Sequence, residues 1–110
     1  MGLQTLSWLL LAASVVAEVV GTIALRYADG FTRPFPSLVV GASYAAAIWL
    51  MSISVRHLEV GLAYAVWAGC GTALTAVLGI AWFGESMTFQ RVAGVVMIVI
   101  GVVALNFEAH

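Results

Sequence analysis

The stretch "SVVAEVVGT", residues 14–22, sets a carboxylate inside an apolar run. Glu18 is the only charged side chain between Met1 and Leu25. Desolvation disfavours the charged form of an acid, so a carboxylate in such surroundings can trade a proton for a cation. On a helix, Leu11, Ser14, Gly21, Thr22 and Leu25 share the face of Glu18. Ser14, Gly21 and Thr22 are small or hydroxylated, which offers room and weak hydrogen bonds. Such a face suits a cavity better than contact with lipid. It also suits close helix packing, and the two uses can occupy different ends of it.

Aromatic residues add a second kind of chemistry. In "EVGLAYAVWAGCGT", Tyr64 and Trp67 stand three apart and share a helical face, and Gly61, Gly69 and Gly71 permit close backbone approach. Tyr44 lies near the centre of another apolar run. Ring faces attract a cation and a carboxylate neutralises it, so rings beside Glu18 would form a site for a lipophilic cation. In "GVVMIVIGVV", Gly94, Ile98 and Gly101 make a flat stripe without polar groups, fit for close contact between helices.

The elements that must position these residues follow from composition. The 110 residues make one domain at most. They are 64% hydrophobic and 8% charged, where a soluble domain carries about a quarter charged residues. Lipid is therefore the expected solvent. A bilayer-spanning helix needs about 20 apolar residues, and such runs occur at about 3–25, 35–55, 60–82 and 88–107. Helices are expected because each segment must satisfy its own backbone in lipid. The breaks "RYADGFTRPFP", "RHLE" and "GESMTFQR" hold all four arginines and three of the five acids. Pro34 and Pro36 mark the start of the second helix. Trp8 and Trp82 fall near span ends, where interfacial aromatics sit. The first run lacks a basic leader and exceeds the apolar core of a signal peptide, so it reads as a retained helix.

These numbers also exclude functions. A net charge of −1 argues against nucleic acid as a partner. One cysteine, Cys70, rules out an internal disulfide, and two histidines are too few for a histidine metal cluster. No nucleophile, metal or cofactor motif is present, so neither a cofactor nor enzymatic chemistry is expected. Four helices enclose little space, so an oligomer is the easier way to shield a polar cavity from lipid. Loops 1 and 3 carry Arg26, Arg33 and Arg91, against Arg56 alone on the other side. That difference, 3 − 1 = 2, is a weak orientation signal compatible with insertion in both directions.

Taken in order, "AEVVGT", "DGFTRPFPS", "GLAYAVWAGCG" and the glycine-spaced fourth helix resemble the small multidrug resistance family over essentially the whole chain. The resemblance implies a multi-pass exporter of the bacterial inner membrane, working as an antiparallel homodimer of four-helix subunits. It implies that Glu18 binds either a proton or a cationic substrate, with Trp67, Tyr64 and Tyr44 in the site. It assigns Gly94, Ile98 and Gly101 to the dimer contact. Guanidinium exporters of the family usually carry tryptophan at the position of Gly21 and lack tyrosine at that of Tyr44, which favours the quaternary-ammonium and multidrug subtype here. Two positions depart from the common pattern: Arg26, often lysine, and Ala47, often serine. Loss of that hydroxyl is expected to loosen hydrogen bonding near Glu18. The expected function is proton-coupled antiport of lipophilic cations. The alternatives are guanidinium export and one subunit of a heterodimeric pair.

Overall fold

The computed structural model describes residues 2–109, with side chains to Phe107; Met1 and His110 lie outside the described residues. Four α-helices follow in chain order: α1 (Leu3–Ala28), α2 (Pro34–Ser54), α3 (Val60–Phe83) and α4 (Phe89–Ala109). All four are long and apolar enough to cross a membrane, and no strand occurs among the described residues. The protein is an all-α membrane protein with four spans.

The helix ends have local causes. The 26 residues of α1 span about 39 Å at 1.5 Å per residue, more than the ~30 Å of hydrocarbon. Its last turn, with Arg26 and Tyr27, therefore remains helical beyond the apolar run. It stops where Asp29, Gly30 and Phe31 all adopt positive φ (50°, 67° and 63°). The Thr32 and Arg33 amides then close on the Ala28 carbonyl at 3.0 and 3.2 Å. Pro34 opens α2, where its missing N–H costs nothing. Gly84, at φ 66°, ends α3, and the Glu85 amide turns back to the Gly79 carbonyl at 3.1 Å. Thr88 caps α4 by accepting the Arg91 amide on Oγ1 at 3.1 Å.

Helix α1 packs along α2, and α3 bridges α1 to α4. The buried cluster is Leu11, Leu58, Ala63 and Val66. Ser14 Oγ ties α1 to α2 by donating to the Ala47 carbonyl at 2.6 Å, across 33 residues of sequence. Trp82 lies at an exposed span end and donates Nε1 to Tyr27 Oη at 2.8 Å. Trp8 instead packs inward on the buried cluster. The fourth helix is peripheral: none of its described side chains is buried, and Met97, Ile100 and Phe107 stand 71%, 61% and 78% exposed. In water such a face would be untenable; in a bilayer it meets lipid or another helix.

The α3–α4 contact depends on Gly69. A Cβ there would lie 2.7 Å from Val102 Cγ2 and 3.5 Å from Ile98 Cγ2. Gly69→Leu is expected to destabilise the protein by about 1–3 kcal/mol through overpacking, measured by denaturant unfolding in mixed micelles. Gly61→Ala, where a Cβ would meet open space, is expected to be near neutral. Equal stability of the two variants would contradict this packing.

Candidate functional site

Glu18 projects from the middle of α1 and is half-buried. Thr22, one turn on, donates its hydroxyl to Glu18 Oε1 at 2.9 Å. The same Thr22 oxygen lies 2.8 Å from Tyr44 Oη on α2. A threonine hydroxyl carries one proton. If that proton goes to Glu18, Tyr44 must donate to Thr22. The result is a chain from Tyr44 through Thr22 to the carboxylate.

Two glycines make this arrangement possible. A Cβ on Gly21 would lie 2.7 Å from both Cδ1 and Cε1 of Tyr44, so the ring lies flush on the α1 backbone. A Cβ on Gly71 would lie 2.9 Å from Glu18 Oε2, so the carboxylate rests on the backbone of α3. Glu18 is thus held between a hydroxyl on its own helix and a bare stretch of α3. No cationic side chain among the described residues lies within ion-pair distance of it; the ion pairs found join Glu85 to Arg26 and Arg91.

Two cavities open on Glu18, and Trp67 borders both. The larger, about 480 Å³, runs along α3 past Gly71 and Thr75 to Glu85. The smaller, about 220 Å³, is bounded by Tyr44, Ala47 and Ile48. The Trp67 indole Nε1 is buried without an acceptor among the described residues, so packing rather than a hydrogen bond holds the ring. A carboxylate, a large ring and an apolar wall in a space of this size can accommodate an organic cation.

The residues picked from the sequence divide into groups. Thr22, Tyr44 and Trp67 surround Glu18, and Gly21 shapes the site by seating Tyr44. Leu11 lies in the buried cluster and Ser14 in the α1–α2 contact, both on packing positions. Tyr64 is 59% exposed and meets the site through Trp67, with ring centroids 5.8 Å apart. On α4, Ile98 faces Gly69, while a Cβ on Gly94 or Gly101 would meet open space within the subunit. Ala47 is buried and presents a methyl wall, and its carbonyl takes the Ser14 hydroxyl. Sequence reasoning marked Gly71 as open to close approach but missed that Glu18 is what rests there, and it missed the presence of Glu85 in the same cavity. The spacing Trp67, Gly71, Thr75, four apart each time, was the available signal for the first.

A family model described as Small Multidrug Resistance protein matches residues 6–98. The chain is 42% identical to the quaternary ammonium compound-resistance protein QacF of Klebsiella aerogenes, over 91% of each chain. It is 35% identical to the multidrug resistance protein EbrA of Bacillus atrophaeus, over 92% of this chain and 96% of that one. It is 36% identical to a guanidinium exporter of Yersinia pseudotuberculosis, over 94% of this chain and all of the other.

The seat of Glu18 gives a direct test. Thr22→Val removes the hydroxyl that joins Tyr44 to Glu18, and Gly71→Ala pushes the carboxylate off α3. Thr22→Val is expected to weaken tetraphenylphosphonium binding at least about tenfold, since a hydrogen bond to a charged group contributes about 1.5–3 kcal/mol, and Gly71→Ala is expected to weaken it by displacing the carboxylate. Ligand titration with the helical circular-dichroism signal as a fold control measures it. Unchanged affinity in both variants would contradict the geometry.

Proposed function

We propose that this chain, which belongs to the Small Multidrug Resistance family, exports lipophilic or quaternary ammonium cations in exchange for protons. As a member of that family it is a membrane transporter, not an enzyme. The observation that carries the reading is a carboxylate in mid-span with no cationic partner among the described residues, opening on cavities that Trp67 borders. Such an acid is stable when it holds a proton or when a cation lies against it. Proton and substrate thus compete for one group, and that competition couples their movements. A cation loading from the cytoplasmic side displaces the proton. After the site turns outward, protons displace the cation.

Each other residue has a share in this. Thr22 and Tyr44 orient the carboxylate. Trp67 gives a substrate a surface that a proton cannot use. Tyr64 buttresses Trp67. The exposed face of α4, with Gly94 and Gly101 open, supports assembly of two copies through that helix. Antiparallel pairing fits the weak arginine bias, and exchange of conformations between two such copies would turn an inward-open site outward. Residence in a bacterial inner (plasma) membrane fits the bacterial sources of the relatives.

One structural relation favours cations larger than guanidinium. Gly21 and Tyr44 form a unit, because the ring occupies the space that any side chain at position 21 would need. The two marks that separate this chain from the guanidinium subtype are therefore one steric exchange. The ring of Tyr44 is left free to line the smaller cavity.

Two outcomes are expected. Glu18→Gln abolishes proton-driven uptake of tetraphenylphosphonium in proteoliposomes while insertion and helicity persist; coupled uptake at the wild-type rate would contradict the mechanism. Trp67→Ala weakens aromatic cation binding by up to roughly thirtyfold, from a ring contribution of about 0.5–2 kcal/mol, but leaves proton uptake by Glu18 in place. Equal loss of proton and cation binding would return Trp67 to a packing role.

A further inference from the structure

Glu85 shares the 480 Å³ cavity with Glu18, at its far end. The turn at Gly84 folds it back, and its carboxylate lies against Gly79 on α3. Glu18 lies against Gly71 on the same helix. The two seats are eight residues apart, 79 − 71, which on a helix is about 12 Å. The cavity wall that α3 presents between them consists of Thr72, Thr75 and Ala76 and carries no charge.

Glu85 is loosely held. Its ion pairs to Arg26 and Arg91 are long, 4.0 and 3.7 Å, and its side chain is 42% exposed. Such pairs contribute little. Both arginines have other anchors: Arg26 lies 4.9 Å over the Phe83 ring, and Arg91 donates to the Ser86 carbonyl at 3.0 Å. Neither guanidinium depends on Glu85, so the carboxylate can turn to a cation without stranding them.

We propose that Glu85 is a second cation anchor, which makes the cavity selective for dications whose charges stand about 12 Å apart on an apolar linker. The inference rests on the export reading above, in which Glu18 takes the first charge. The competing anchor in a two-copy assembly is the partner's Glu18, and it predicts no dependence on Glu85.

The test uses the purified full chain in liposomes. Binding of bis-trimethylammonium alkanes of increasing linker length is compared with binding of octyltrimethylammonium. Wild type is expected to bind both classes, with a dication optimum at a nitrogen spacing near 12 Å. Glu85→Gln is expected to lose about fivefold in affinity for the optimal dication, to lose the optimum, and to bind the monocation as before. Glu85→Asp, which keeps the charge, is expected to retain the dication preference. Parallel loss of both ligands, no loss of either, no optimum in wild type, or an Asp variant that behaves like Gln would each overturn the proposal. A wild type that binds no monocation would overturn the export reading and this proposal together. Intact monocation binding with an insensitive dication would overturn this proposal alone.

Discussion

A carboxylate placed where water is scarce, with no fixed positive charge beside it among the described residues, is the constraint on which the rest of this structure depends. Coulomb attraction and desolvation both grow as water is excluded. A resident arginine in mid-span would satisfy Glu18 permanently and leave nothing for it to bind, because a pair shielded from water is strong where an exposed one, like those at Glu85, is weak. The arginines instead gather at the ends of the spans and in the loops, and the ion pairs among the described residues join Arg26 and Arg91 to Glu85. Glu18 keeps only a hydroxyl and a glycine seat. These are strong enough to aim it and too weak to neutralise it. Its remaining demand for positive charge is what a transporter can use.

The packing serves that demand. Gly21 lets α2 bring Tyr44 onto α1, and Gly71 lets α3 come under the carboxylate. Ser14 and Leu11 fix α1 against its neighbours toward the other end of the helix, so one face does both jobs. Helix α4 contributes nothing to the seat of Glu18. It lies on α3 through Gly69 and leaves most of its surface uncovered. That division leaves the candidate site to α1–α3 and the uncovered apolar surface to α4.

Much of this was legible in the sequence, for physical reasons that vary with the residue. The spans were readable because lipid demands unbroken apolar runs of fixed length, and the helix ends depart from those runs by no more than three residues, as at 26–28. Glu18 was readable because a lone charge in such a run has few bland explanations. Thr22 was readable from helical spacing, but that it bonds Glu18 and Tyr44 together was not, since the second contact crosses from α1 to α2. The same spacing placed Leu11 and Ser14 on the site's face, although they serve packing. Spacing tells which residues share a face and not where along it the cavity opens. Gly71 and Glu85 were illegible as site residues because their roles arise only when α3 and its closing turn are laid against α1.

The central claim is that proton and cation occupy the same carboxylate in turn. The most direct measurement is proton release when tetraphenylphosphonium is added to the purified protein in weakly buffered solution. Wild type should release protons in step with ligand binding. The Glu18→Gln protein should release none. Ligand binding to wild type without proton release at any pH, or undiminished release from Glu18→Gln, would contradict the account.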